Sequence, residues 1–441
     1  MFEQALHWFI DLGSTVFIPI IIIILGLVVR LKPSKAIVAG LTIGIGFIGL
    51  NMVVALMQDS LGAAVQAMVD RYSLSLSIVD LGSGPGGPLA FSSTLGVLMI
   101  PIAFGINLAL VWLGMTKTLN VDVWNLWQPT FVGLMVWGVT GNYALGLVSM
   151  VPIFLLQLLC ADLAQPKLSK FFGLPGIAIT HLMALSGMVL AVPLNWVFDH
   201  IPGLDKVKID ADTIEKKFGV LGDPIIIGFL IGVVIGLFAG YDVSQTLQLA
   251  VQMAAVLKLL PKMIAMFMEG LTPIAEATQA FTEKRLHGRD VNIGMDAAIT
   301  VGNPSVMATC LLMIPITLFV AVVLPGNKVL PFGDLPLLVF VFTLMVAAFK
   351  GDILRSLIGC TIYTVTELYL ASWMAPAVTA AFHVANYDVG SGVVSFVSAG
   401  LWPNVIGLTA AENLGFAGVA IFTLVVLVAL FYVNRVKKFN Q

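Results

Sequence analysis

Charge is scarce in this chain: 24 Asp and Glu and 22 Lys and Arg make up 10% of its 441 residues, against about a quarter in a water-soluble domain. Hydrophobic residues make up 59% and the mean hydropathy is +1.02. This excludes a soluble globule and leaves a polytopic membrane protein. There are three cysteines, Cys160, Cys310 and Cys360, isolated in apolar surroundings without paired spacing. They read as core residues, not a disulfide framework or a redox pair. The net charge of −2, with no basic patch, points to no nucleic acid. His-Glu-x-x-His, Gly-x-Ser-x-Gly, a Walker loop and spaced Cys/His zinc ligands are all missing, so a metalloprotease, a serine hydrolase and an ATP-driven pump lose support. Neither a metal nor an organic cofactor is expected. The N-terminal stretch carries Glu3 and Asp11 but no basic residue, so the first span is expected to stay uncleaved.

What the chain has is long apolar runs. A helix needs on the order of 20 apolar residues to cross ~30 Å of hydrocarbon, because lipid offers its peptide groups no partners. Runs at 12–29, 36–57, 89–113, 129–147, 174–197, 218–239, 246–268, 306–324, 335–349, 354–373 and 414–432 predict about 11 transmembrane helices, the ninth of them short. With the N-terminus outside and the C-terminus inside, 17 of the 22 Lys and Arg face the cytoplasm; Arg71, Lys167, Lys170 and Lys328 lie outside and Lys258 within a span.

The string Leu98-Met99-Ile100-Pro101-Ile102 returns as Leu312-Met313-Ile314-Pro315-Ile316, and Pro19-Ile20-Ile21-Ile22 as Pro224-Ile225-Ile226-Ile227. Asp80 has a counterpart in Asp296, and Asp122 in Asp334. Five spans separate each segment from its partner, an odd number, so the halves are expected to thread the membrane in opposite directions. The expected organisation is a first transmembrane repeat at 1–198, a cytoplasmic linker at 199–217, a second, inverted repeat at 218–400, and a C-terminal helix and tail at 401–441. Such inverted 5+5 repeats place a transported solute near the midplane, between broken helices.

Two segments have the composition of such breaks. Asp80-Leu81-Gly82-Ser83-Gly84-Pro85-Gly86-Gly87-Pro88 contains a G-x-G-x-x-G spacing, but no soluble βαβ unit surrounds it, which argues against a dinucleotide site. It reads as a re-entrant hairpin, with an ordinary outer loop as the alternative. The second runs from Asn292 through Asp296 to Gly302-Asn303-Pro304-Ser305. Open backbone at membrane depth is tolerated where it lines a cavity. An aspartate at a helix centre costs about 2.5–3.5 kcal/mol on translocon scales, so Asp296 is expected to have a partner. Asn142, in Thr140-Gly141-Asn142-Tyr143, and His181 add polar groups to apolar spans. Glu367 and Asn107 are weaker candidates, with hydrogen bonds that join helices as the alternative role.

Several strings carry a resemblance: Gly240-Tyr241-Asp242-Val243, Leu247-Gln248-Leu249-Ala250-Val251, Gly270-Leu271-Thr272-Pro273-Ile274-Ala275, Asn120-Val121-Asp122-Val123-Trp124-Asn125, Lys217-Phe218-Gly219 and Pro325-Gly326-Asn327-Lys328-Val329-Leu330-Pro331-Phe332-Gly333-Asp334-Leu335. The chain resembles the galactitol-type IIC membrane components of the bacterial phosphoenolpyruvate-dependent sugar phosphotransferase system, relatives of the ascorbate IIC components. The resemblance implies an all-α homodimer of eleven-span protomers in the inner membrane, with two re-entrant hairpins and an elevator-type movement. It also implies that a separate cytoplasmic B subunit carries a phosphocysteine and phosphorylates the emerging sugar alcohol, so that the chain itself is no enzyme. Segments 199–217 and 268–290 would be its docking surfaces. Matching motif to motif points to Asp80, Asn142, His181 and Asp296 as substrate-binding, with Asn303 in the second hairpin. Two departures bear on the substrate: Gly302-Asn303-Pro304 stands where the galactitol pattern has Gly-His-Thr, and Thr180-His181-Leu182 where it has Pro-His-Gly. The alternatives are an ion-coupled secondary transporter using Asp296 and Glu367 and, more remotely, a membrane transferase using His181 and Asp80.

Overall fold

The computed structural model describes residues 14–73, 77–122, 124–203, 209, 224–285, 291–331, 333–387, 389 and 392–436. The first half runs through α1 (Ser14–Val28), α2 (Pro33–Arg71), β1 (Val79–Asp80), α3 (Gly86–Ser92), α4 (Thr94–Leu113), β2 (Thr118–Asn120), a 3₁₀ turn (Trp124–Leu126), α5 (Trp127–Thr140), α6 (Tyr143–Phe172), β3 (Ile177–Ile179), α7 (Leu182–Ser186) and α8 (Met188–Phe198). The second half runs through α9 (Pro224–Ala239), α10 (Val243–Arg285), β4 (Asn292–Met295), a 3₁₀ turn (Ala297–Thr300), α11 (Pro304–Val323), a 3₁₀ turn (Leu335–Leu337), α12 (Leu338–Ala348), α13 (Ile353–Val384), β5 (Val394–Ser395), a 3₁₀ turn (Val397–Gly400) and α14 (Trp402–Phe431).

Among the described residues, four helices are long and apolar enough to cross a bilayer: Thr94–Leu113, Tyr143–Phe172, Pro304–Val323 and Trp402–Val436. Shorter apolar helices accompany them, among them Leu338–Ala348. The protein is thus a mostly helical membrane protein, and several boundaries differ from those expected. The run 129–147 is not one helix. Gly141, at φ 68°, ends α5, and Asn142 starts α6 by accepting the Leu145 N–H at 3.0 Å. The run 174–197 opens as β3 and continues as two short helices, and 335–349 holds an 11-residue helix. The runs at 36–57 and 246–268 extend into helices of 39 and 43 residues, about 58 and 64 Å at ~1.5 Å per residue.

Burial separates two kinds of helix. Ten consecutive residues of α5, Trp127 to Val136, are buried, as is nearly all of α12. A helix apolar all round belongs in a core. By contrast α1, α2, α9 and α14 leave Ile24, Leu41, Ile45, Leu237 and Leu424 exposed, while Asp80, Asp122, His181, Asp296, Asp334 and Glu367 are buried. Apolar outside and ionisable inside is the arrangement a lipid solvent imposes.

Small parallel sheets tie the halves together. β4 of the second half lies between β2 and β3 of the first, with Asn120 opposite Gly294 and Ile179 opposite Met295. β1 of the first half pairs with β5 of the second, Asp80 opposite Ser395, and Ile78 bridges to Val329. Near the end of α8, Arg355 donates to Asn195 at 3.1 Å and pairs with Asp199. That hydrogen bond holds the Asp199 carboxyl below its ordinary value. Of the linker and docking segments, only 199–203, 209 and 268–285 lie within the described residues.

Candidate functional site

The three-stranded sheet delivers its side chains from the carboxyl ends of its strands. β3 and β4 run parallel, and the Thr180 N–H donates to the Met295 carbonyl at 3.0 Å, so the residues that follow each strand emerge together. Those residues are His181 and Asp296. His181 Nδ1 stands 2.8 Å from Asp296 Oδ2, an ion-pair distance that lies off the ideal hydrogen-bond direction. Asp296 Oδ1 accepts the Ala298 N–H at 2.7 Å, which fixes the carboxylate as the cap of its 3₁₀ turn. The imidazole faces the Phe340 ring at 5.9 Å. Close backbone approach makes this convergence possible. A Cβ on Gly294 would stand 2.8 Å from Thr180 Cγ2 and 2.9 Å from Asn120 Cα, so no side chain fits at the centre of the sheet.

A polar lattice surrounds the pair. Thr180 Oγ1 donates to Asn120 Oδ1 at 2.9 Å and accepts from Asn125 Nδ2 at 2.6 Å. Gln157 Nε2, from the middle of α6, donates to the Asn125 carbonyl at 3.2 Å and to the Thr180 carbonyl. Gln128 Oε1 accepts the Met183 N–H at 3.2 Å, and Asp122 Oδ1 accepts the Trp124 N–H at 2.9 Å. Asn107 clamps β2 by donating to the Thr118 carbonyl and accepting the Asn120 N–H, both at 2.8 Å.

These bonds leave a residue of unused capacity. Asp122 Oδ2, Asn125 Oδ1, Gln128 Nε2, Gln157 Oε1 and His181 Nε2 are all sealed from solvent and make no hydrogen bond among the described residues. A buried polar atom without a partner costs about 1–3 kcal/mol, and native proteins carry few of them. Five on side chains around one sheet end make an enclosed cluster of unused hydrogen-bonding capacity.

The other candidates stand elsewhere. Asp80 belongs to a second assembly at β1 and β5, where its Oδ1 accepts the Gly82 N–H at 3.1 Å and its Oδ2 the Gly333 N–H at 2.7 Å. Asp334 accepts the Ser83 N–H at 2.5 Å and the Ser398 N–H at 3.1 Å. All four carboxylate oxygens therefore bracket backbone, two of the four bonds joining one half to the other. Gly82 takes φ 67° there, and a Cβ on it would meet the Gly333 carbonyl oxygen at 2.7 Å. Asn142 is exposed and caps α6; Asn303, half-buried, caps α11 by accepting the Ser305 and Val306 N–H groups at 3.0 and 3.3 Å. Of the five residues singled out from the sequence, only His181 and Asp296 touch each other. Sequence reasoning missed Asp122, Asn125, Gln128, Gln157 and Thr180 as members of this lattice. Gln157 was the readable signal, an uncharged polar residue in the middle of an apolar run.

Comparison with known proteins gives the family of the chain. Residues 8–392 match the family described as EIIC-GAT, PTS system sugar-specific permease component. The chain is 37% identical over 407 residues to the PTS system galactitol-specific EIIC component of Escherichia coli (strain K12), covering 90% of each chain. It is equally similar to the protein of the same description from Escherichia coli O157:H7.

Proposed function

The chain belongs to the EIIC-GAT family of phosphotransferase-system sugar permease components, and from that premise we propose that it carries galactitol or a close polyol across the bacterial inner membrane, bound at the His181–Asp296 lattice. It is a transport subunit. The observation that supports this site is the group of five unpaired buried atoms around the pair.

A hexitol presents a hydroxyl on every carbon, each able to donate and to accept. The lattice matches it with acceptors at Asp122 Oδ2, Asn125 Oδ1 and Gln157 Oε1 and a donor at Gln128 Nε2. Asp296 beside Nδ1 favours the imidazole tautomer that carries its proton there, which leaves Nε2 to accept. A site of neutral amides and carboxylates selects for hydroxyls and against phosphate, because a phosphorylated product would face carboxylates without a counter-charge. That contrast lets the product leave inward and not rebind. The phosphoryl group would come from the phosphocysteine of a cytoplasmic B subunit: the S–P bond breaks with the cysteine leaving as its thiolate, an O–P bond forms at a polyol hydroxyl whose proton is released to the thiolate or to solvent, and the added charge traps the product.

The halves would be related as an inverted repeat. Asp80 of the first meets the segment of Asp334 in the second, and Asp296 of the second meets the segment of Asp122 in the first. Exchanged pairs of this kind are what a two-fold relation generates. The homodimer, the elevator movement, the hairpins opening to opposite sides and the N-out orientation complete the reading. The experiment is galactitol binding by the purified protein, followed by uptake in vesicles with and without partner subunits and phosphoenolpyruvate. Accumulation of phosphorylated galactitol only in their presence is expected. Concentrative uptake of unmodified polyol driven by a proton or sodium gradient would overturn it.

A further inference from the structure

Glu367, on α13, is 1% exposed, and neither of its carboxyl oxygens makes a hydrogen bond of normal geometry. The group faces the Tyr363 hydroxyl one turn earlier on the same helix. Asp334 and Cys360 are the other titratable groups near it, and both Asp334 oxygens are already filled by backbone amides. From Tyr363 a chain of hydrogen bonds runs into the first half. The Tyr363 hydroxyl donates to Ser186 Oγ at 2.8 Å, and Ser186 Oγ donates to the Met183 carbonyl at 3.0 Å. Trp402 Nε1 donates to the Ser186 carbonyl at 2.9 Å. Met183 and Ser186 lie on α7, the single helical turn that begins immediately after His181.

Counting protons along this chain fixes its direction. A carbonyl can only accept, so the one Ser186 proton goes to Met183. Ser186 Oγ must then accept from Tyr363, whose one proton is thereby used. The Tyr363 oxygen is left with acceptor capacity alone. A carboxylate, which also only accepts, would meet it as a mismatched neighbour at the end of the chain; a carboxylic acid completes it.

We propose that Glu367 is held as the neutral acid and is a positioning residue for the substrate site, its proton starting a one-way chain through Tyr363 and Ser186 that fixes α7 and with it His181. The inference rests on the reading of His181 as a polyol ligand. It assigns Glu367 no part in ion coupling.

The test uses the purified full-length protein with galactitol as the probe. Infrared spectra at neutral pH should contain the C=O stretch of a protonated carboxylic acid that is lost in Glu367→Gln and shifts toward a weakly hydrogen-bonded acid in Tyr363→Phe. Glu367→Gln, whose amide still donates to Tyr363, should bind galactitol within a few-fold of wild type. Glu367→Met, of similar size but without a donor, and Tyr363→Phe should each weaken binding roughly tenfold, about 1.4 kcal/mol. The proposal fails if no such band is assignable to Glu367, if Glu367→Gln loses binding as fully as Glu367→Met, or if both Glu367→Met and Tyr363→Phe bind like wild type. Should the wild-type protein bind no polyol, the reading of the site fails instead, and the infrared band still decides where the proton sits.

Discussion

Asp296→Asn separates the two jobs of this side chain. Oδ1 caps the 3₁₀ turn through the Ala298 N–H at 2.7 Å, and Asn caps about as well as Asp, so the turn should persist. Oδ2, 2.8 Å from His181 Nδ1, is replaced by an amide that donates. The imidazole must then accept at Nδ1 and carry its proton on Nε2. The atom offered to the polyol changes from acceptor to donor, and the charge that held the ring is gone. A buried hydroxyl left mismatched at Nε2 costs about 1–3 kcal/mol, which at 1.4 kcal/mol per decade predicts a galactitol Kd raised roughly 5- to 150-fold. Isothermal titration of detergent-purified protein measures this, with size-exclusion chromatography confirming an unchanged assembly. Wild-type affinity in Asp296→Asn would refute the assignment of the pair to the substrate.

Three further expectations follow from the same geometry. Asp80→Asn turns an amide donor toward the Gly333 or Gly82 N–H; the loss of about 1–3 kcal/mol should appear as a lower Tm, with galactitol affinity of the folded protein unchanged. Gly294→Ala forces a Cβ to within 2.8 Å of Thr180 Cγ2 and should abolish binding, whereas Gly62→Ala in α2, with open space around it, should be neutral or stabilise by up to about 1 kcal/mol. Because the Arg355 hydrogen bond lowers the Asp199 pKa on folding, its contribution is present above the unfolded carboxylate pKa of about 3.9 and fades as pH falls through the lowered folded value. Asp199→Asn should remove that part of the acid sensitivity of Tm.

The chain revealed its membrane character and its broken segments because both are compositional: apolar runs set spans, and Gly/Pro clusters around Asp80 and Asn303 interrupt them. It also pointed to His181 and Asp296, since a titratable group between apolar runs stands out without knowledge of its neighbours. What it could not convey was pairing. Asp80 and Asp296 look alike in sequence and occupy corresponding places, yet one accepts two backbone amides and the other faces an imidazole. Only contacts across 115 residues for His181–Asp296 and 253 for Asp80–Gly333 tell them apart. The strands that create those contacts are two to four residues long, too short for an alternating pattern to register. At Gly141 the polar string Thr140-Gly141-Asn142-Tyr143 stood out, but its consequence did not: nothing in hydropathy says that a left-handed glycine ends one helix and that Asn142 caps the next.

The most direct test of the central claim is an experimental structure with galactitol bound. The account predicts the polyol against His181 Nε2, with its hydroxyls reaching Asp122, Gln157 and Gln128. Polyol density against Asp80 and Asp334 instead, with the His181–Asp296 lattice untouched, would contradict it.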